Sequence, residues 1–241
     1  DYSFHLSRLA DCHAFLKLEN LQHTGSFKAR GAINKILTLN PLQREAGVVA
    51  ASTGNHGLAV AHGASKLGIR GLVFLPENAS PQKVQMLSNY NVEIKYYGND
   101  CADTEKFARS EAQRHGQTYI SPYNDPKVMG GQGTIALELL KQLEGIDCIL
   151  LSVGGGGLIA GIGGYTKQTK NNIEIIGCLA QNSPTMYESI RGPPGLDSAM
   201  SSTLSDGTSG GIETDAITFE PCRKYVDDWI LVDEDQIREG I

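Results

Sequence analysis

The run Lys17-Leu18-Glu19-Asn20-Leu21-Gln22-His23-Thr24-Gly25-Ser26-Phe27-Lys28-Ala29-Arg30-Gly31-Ala32 decides how the rest of the chain is read. Before it ends, Phe15-Leu16-Lys17-Leu18 has the character of a strand, and Ala29 to Leu39 has that of a helix. The turn-like stretch between them puts Ser26 where a hydroxyl caps a helix by accepting a free backbone N–H. Lys28 then falls in the first helical turn, where the positive end of the helix dipole disfavours an ammonium. A lysine pushed toward its neutral amine is a nucleophile that forms Schiff bases with carbonyls. An ordinary reading stands beside this one. Lys28 is one of twelve lysines, and most lysines are solvated surface charges.

Outward from this run, apolar stretches alternate with helical periods. Strands are expected at 47–51, 71–75, 92–96, 119–120, 146–153, 173–177 and 229–232. Helices are expected at 57–66, 81–90, 102–115, 134–143, 158–170 and 219–225. In the helix at 134–143, Ile135, Leu139, Leu140 and Leu143 share one face. Strands separated by helices of this length predict parallel pairing in an open α/β architecture, with ligands at the carboxyl ends of the strands. The stretch from Arg191 to Gly211, rich in Gly, Pro, Ser and Asp, reads as a long connection, and loops of that length are usually functional or mobile.

Three glycine-rich segments fall where a ligand is expected. Ser52-Thr53-Gly54-Asn55-His56-Gly57 follows a strand and opens a helix. Free N–H groups at such a start bind anions, and two hydroxyls and an amide add donors. A capped helix that binds nothing is the alternative, and His56 alone would more often be structural. Ser152-Val153-Gly154-Gly155-Gly156-Gly157-Leu158 also links a strand to a helix. Four glycines remove side chains, so backbone N–H groups can wrap a phosphate. Gly155, Gly157 and Ala160 fit the relaxed dinucleotide pattern only loosely, because Glu174 sits within its strand rather than at the far end. No Gly-Lys pair occurs, which excludes a Walker A loop. Gly130-Gly131-Gln132-Gly133-Thr134 reads as the start of a further helix, either near a site or merely eased by glycine.

Composition bounds the remaining classes. The chain has 241 residues, 40% hydrophobic and 20% charged, with a net charge of −6, which suits an ordinary globular protein of one large or two small domains. Acids and bases are mixed and no basic patch appears, so there is no case for nucleic acid. No apolar run approaches a membrane span, and no signal-peptide pattern opens the chain. The first residue is not methionine, so a fragment is expected. Cys12, Cys101, Cys148, Cys178 and Cys222 are widely spaced and odd in number, which suggests no disulfide scaffold and fits a reducing cytoplasm. Gly207-Thr208-Ser209-Gly210-Gly211 matches Gly-x-Ser-x-Gly but lacks the strand and helix that a hydrolase elbow needs. His56 and His62 lie six apart, off one helix face, and no His-Glu-x-x-His occurs, so no metal site is expected.

The opening run resembles the cofactor-lysine segment of the pyridoxal-phosphate enzymes of the tryptophan-synthase-β fold group (fold type II). Within that group it is most similar to the serine/threonine dehydratase and serine racemase family. The resemblance rests on Glu19-Asn20, Thr24-Gly25-Ser26-Phe27-Lys28 and Arg30-Gly31-Ala32, and on the two later glycine segments. It implies pyridoxal 5'-phosphate held covalently by Lys28, with Phe27 near its ring, Asn55 on its phenolic oxygen, and Gly154, Gly155, Gly156 and Gly157 on its phosphate. It implies that Ser52, Thr53, Gly54, Asn55 and His56 take the substrate carboxylate. Racemases of the family carry serine where this chain has Thr53, as a second acid/base opposite the lysine, and many dehydratases carry alanine. Thr53 keeps the hydroxyl and adds a methyl, which leans toward elimination.

The implied fold is α/β, with two open, mostly parallel three-layer αβα domains and the cofactor in the cleft between them. The smaller would run over 47–124, inserted between 1–46 and 125–241 of the larger. The implied activity is β-elimination of L-threonine or L-serine to a 2-oxo acid and ammonia, by a cytoplasmic homodimer. A serine racemase or bifunctional enzyme, a β-replacement synthase and a non-catalytic binding member are the alternatives. Asp206 lies in a stretch that looks like the divalent-cation region of some relatives, but Ser202 and Ser205 stand where more carboxylates would help. Relatives usually continue past the last residues here, with the group that meets the pyridine nitrogen.

Overall fold

Alternating apolar runs and helical periods give two separate parallel sheets in the computed structural model, which describes residues 1–192 and 200–241. The helices are α1 (Phe4–Ala10), α2 (Lys28–Leu37), α3 (Pro41–Ala46), α4 (Asn55–Lys66), α5 (Pro81–Ser88) and α6 (Cys101–Arg114) in the first half. The second half adds α7 (Pro126–Gln142), α8 (Gly157–Thr169), α9 (Thr185–Arg191), α10 (Phe219–Tyr225) and α11 (Glu234–Glu239). The strands are β1 (Val48–Ala51), β2 (Gly71–Leu75), β3 (Glu93–Tyr96), β4 (Thr118–Tyr119), β5 (Cys148–Ser152), β6 (Glu174–Ala180) and β7 (Asp228–Val232). Short 3-10 turns occupy Glu19–Leu21 and Asp206–Thr208.

The first sheet has the order β3-β2-β1-β4 and the second β5-β6-β7, every pair parallel. Val48-Val49-Ala50 and Gly71-Leu72-Val73-Phe74-Leu75 are buried on both faces, as the central strands of a parallel sheet must be. Val49, Leu72 and Phe74 pack on Ala108 and Ala112 of α6, whereas Val48, Ala50, Val73 and Leu75 face α4, α2 and Leu87 of α5. The second sheet sets Ile149, Ile175 and Leu179 against Ile135 of α7, Ile159 and Ile162 of α8, Met186 of α9 and Phe219 of α10. On its other face Leu150 and Ile230 are 61% and 41% exposed among the described residues.

Two expectations change. Phe15-Leu16-Lys17-Leu18 is not a strand. It makes one antiparallel bridge, Phe15 with Tyr2, and two lone extended segments do not sustain a sheet. Gly130-Gly131-Gln132-Gly133-Thr134 does not open a helix. The helix α7 begins earlier, at Pro126, where Asp125 Oδ1 accepts the N–H groups of Lys127 and Val128 at 2.7 and 3.2 Å. The glycines serve close packing instead. A Cβ on Gly131 would lie 2.6 Å from the carbonyl oxygen of Arg30 in α2, and one on Gly161 of α8 2.2 Å from that of Met129 in α7. In the connection after Arg191, positions 193–199 lie outside the described residues, and 200–211 are irregular apart from the 3-10 turn.

Candidate active site

Lys28 is the first residue of α2. The helix cap is Phe27 rather than Ser26, but the Ser26 hydroxyl still accepts the backbone N–H of Lys28, at 3.4 Å. The expected contact therefore exists one position inside the expected cap. Lys28 Nζ donates to the carbonyl oxygen of Pro122 at 3.0 Å and lies 5.3 Å from the centre of the Phe27 ring. Burial pushes its pKa down to about 8, because the charged form loses its water. The sequence argument reached the same direction through the helix end. Desolvation is the cause that the surroundings supply.

A cleft of about 280 Å³ opens at this amine, near the lower end of small-molecule sites. Phe27, Lys28, Asn55 and Gly154 to Gly157 line it together. So do Glu19, Asn20, Ser26, Tyr123, Ser152, Ile159, Gly207 and Thr208. The glycine loop joins β5 to α8 at the carboxyl end of the sheet, where ligands of such sheets bind. Gly156 has φ +82°, a conformation that disfavours every side chain. The Tyr123 ring sits where a Cβ on Gly155 would be, 2.4 Å away. No backbone hydrogen bond engages the N–H groups of Gly154 to Gly157 among the described residues. A bare concavity of free N–H groups at a helix start suits a phosphate. A poised amine beside it suits an aldehyde. The residues present therefore fit pyridoxal phosphate.

The loop from Ser52 to His56 is brought in only in part. Asn55, the first residue of α4, lines the cleft. Ser52, Thr53 and Gly54, which precede it in the chain, are not part of the lining; Ser52 Oγ accepts the Gly54 N–H at 3.1 Å. His56 turns inward, its Nε2 2.8 Å from the carbonyl oxygen of Ile120. Burial first, and then the nearby Lys28 charge, push its pKa down to about 3, so it is neutral at pH 7.

Tyr123 is the residue that the sequence left unmarked, since an aromatic in a Pro-Tyr-Asn turn carries no periodic signal. Gly207 and Thr208 belong to the segment that mimics a hydrolase elbow. They reach the cleft as a 3-10 turn, with no strand before it. Asp206 is exposed and 3.9 Å from Lys83 Nζ, and no cluster of metal-ligating side chains occurs among the described residues.

The chain is similar to known proteins over nearly its whole length. The catabolic L-threonine dehydratase TdcB of Escherichia coli K12 is 39% identical over 227 residues, covering 94% of this chain and 69% of that protein. The L-threonine ammonia-lyase of Thermotoga maritima is 38% identical over 240 residues, covering all of this chain and 60% of the relative. The structure of maize serine racemase superposes with a TM-score of 0.93 at 31% identity, over 99% of this chain and 72% of the other. The profile of the family described as pyridoxal-phosphate dependent enzyme (PALP) matches residues 2–241, and the chain belongs to that family.

Proposed function

We propose that the chain carries out β-elimination on L-threonine or L-serine, giving a 2-oxo acid and ammonia. The observation that carries this reading is Lys28: an amine lowered to about 8 by burial, in the same cleft as a glycine loop with free N–H groups. Pyridoxal phosphate, when bound, supplies an electron sink that acidifies the substrate Cα–H bond. Lys28 would hold the cofactor through Nζ. The free amine takes the Cα proton. A group that is basic near its working pH is suited to that step. Loss of the β-hydroxyl as water leaves an enamine, which hydrolyses to the 2-oxo acid and ammonia. Gly154 to Gly157 bind the phosphate, and Phe27 packs on the ring. Ser52, Thr53, Gly54, Asn55 and His56 fix the carboxylate, and so the direction of the Cα–H bond. Neutral His56 acts there as a dipole rather than as a charge.

In the same reading, 47–124 form a smaller domain inserted into a larger one built from 1–46 and 125–241, and the protein is a cytoplasmic homodimer. Five unpaired cysteines suit that location, and the exposed Phe4, Leu9 and Leu21 suit an apolar contact between copies. Racemisation is the second reading. It is favoured by the Thr53 hydroxyl and the likeness to maize serine racemase.

One assay separates the two. Purified protein is loaded with pyridoxal phosphate and offered L-threonine and L-serine, while 2-oxo acid and D-serine are followed. Pyruvate or 2-oxobutyrate without D-serine is expected, falling about 10³-fold or more in Lys28→Ala. D-serine as the main product would assign Thr53 as the second base and replace elimination by racemisation.

A further inference from the structure

The segment 205–217 forms one wall of the cleft and meets the elements of the other sheet at two carboxylates, the exposed Asp206, 3.9 Å from Lys83 of α5, and the half-buried Glu213. Its Gly207 and Thr208 line the cleft, and the backbone of Thr208 fills the space beside Gly154, 2.8 Å from where a Cβ would be. Glu213 stands at the far end of the segment, outside the cleft lining. Its Oε1 accepts from Arg109 Nη2 at 2.8 Å, and its Oε2 accepts from Asn124 Nδ2 at 2.9 Å. Its own N–H donates to the Tyr123 hydroxyl at 3.1 Å. Asn124 Oδ1 in turn accepts the N–H of Ile217 at 2.9 Å.

Arg109 belongs to α6, which packs on the first sheet. It is held there by Glu105, at 2.7 Å, and by the Tyr119 ring of β4, 4.3 Å from the guanidinium carbon. Tyr123 belongs to the cleft and packs on the glycine loop. Glu213 therefore touches the helix of the first sheet through its carboxylate and the aromatic that shapes the loop of the second through its backbone N–H.

We infer that Glu213 is a positioning residue, which through Arg109, Asn124 and Tyr123 holds segment 205–217 and the glycine loop in register with α6 and so sets the cleft for its phosphate-bearing ligand. The inference rests on the cofactor reading above only for the identity of that ligand. The physical argument is preorganisation. A wall that is ordered before binding does not have to be ordered by the ligand, and the apparent dissociation constant is the intrinsic one divided by the fraction already competent. A glutamine at 213 keeps the size but puts a donor NH2 where one carboxylate oxygen accepts, so Arg109 or Asn124 would face a donor in place of its present acceptor. Hydrogen bonds to a charged group are the stronger ones, and this pair is half-buried.

The test uses Glu213→Gln, Arg109→Gln and the double variant, with two readouts. The first is hydrogen exchange of the cofactor-free protein. Either single change is expected to speed exchange in both 205–217 and α6, including the segment that was not altered, and to leave β5, β6 and β7 as in the parent. The second is the pyridoxal-phosphate dissociation constant, read by absorbance. It is expected to rise about fivefold in each single variant and no further in the double. Exchange that rises only in the altered segment would overturn the inference, and so would an unchanged dissociation constant beside normal parental binding. A parent that binds no pyridoxal phosphate would overturn the cofactor reading instead, and the exchange readout would still decide the link.

Discussion

An ammonium held among protein atoms, with the carbonyl of Pro122 as its one hydrogen-bond partner among the described residues, works against the fold that holds it. The lowered pKa of Lys28 states the same cost. In the unfolded chain the amine keeps its proton to near pH 10.5, and in the fold it loses it near 8. Between those values the unfolded state binds more protons, so stability rises with pH there. Below pH 8 both states are charged and the cost is present in full, at most about 3 kcal/mol. Lys28→Met in the cofactor-free protein is therefore expected to be more stable than the parent at pH 7, with the gap closing toward pH 10. Urea midpoints at the two pH values decide it, and parallel curves would remove desolvation as the cause.

His56 is shifted in the same direction, at lower pH, so stability again rises with pH across its window. Its folded pKa of about 3 lies below the ordinary 6.5. Its contribution is whole above pH 6.5 and is lost as pH falls through about 3. At this scale the lysine was legible, because Thr24-Gly25-Ser26-Phe27-Lys28 is a local pattern. Tyr123 was not, because its role depends on Gly155, which is distant in sequence and becomes its neighbour only in the fold.

Helix contacts carry the next scale, and two adjacent glycines separate packing from propensity. Gly130 and Gly131 both lie inside α7. A Cβ on Gly130 meets only Asn34 Nδ2, at 3.8 Å, whereas one on Gly131 would lie 2.6 Å from backbone of α2. Gly130→Ala is therefore expected to gain about 0.5–1 kcal/mol of helix propensity. Gly131→Ala is expected to lose about 1–3 kcal/mol by overpacking. Melting temperatures of the two variants should move in opposite directions, and a common direction would sink the close-packing account.

The same contrast explains what could be read along the chain. Gly71–Leu75 and Phe219–Tyr225 were legible to the residue, because an apolar run and an amphipathic turn each carry their own period. Glycine as punctuation misled at α7, since a glycine that thins a helix for its neighbour looks the same in sequence as one that ends it. The helices α1, α3, α9 and α11 are six or seven residues long, where a 3.6-residue period is weak; α10 is as short, but its Phe219 and Cys222, three apart, both face the core. Two of the first four carry a capping box instead: Asn40 with Gln43 in α3, and Asp233 with Gln236 in α11.

For the whole molecule the question is what joins two sheets that share no strand. Parallel pairing was legible from the order of the elements, but not which helix would bridge them. That bridge is α2, which packs against α4 on one side and α7 on the other, while α7 packs on α8 of the second sheet. The same helix begins with Lys28, so the residue that opens the cleft is carried by the element that links its two sides. Arg30, two residues on, reinforces the bridge. It donates to Glu19 Oε1 and Oε2 at 2.8 Å each, and to Glu138 of α7. Hydrogen bonding to Arg30 accordingly pulls the Glu138 pKa down to about 2.

Ile36 sits fully buried in α2, in one core with Val60 of α4 and Val128 of α7. Ile36→Ala is expected to cost about 2–5 kcal/mol, or very roughly 4–20 °C in melting temperature for a chain of this size. Because α2 serves both sides, calorimetry should show one endotherm, moved as a whole. Two endotherms, with only the lower one shifted, would mean that the sheets unfold as separate units and that α2 belongs to one of them. In that case the cleft would be held by surface contacts such as Arg109 with Glu213, rather than by a shared core.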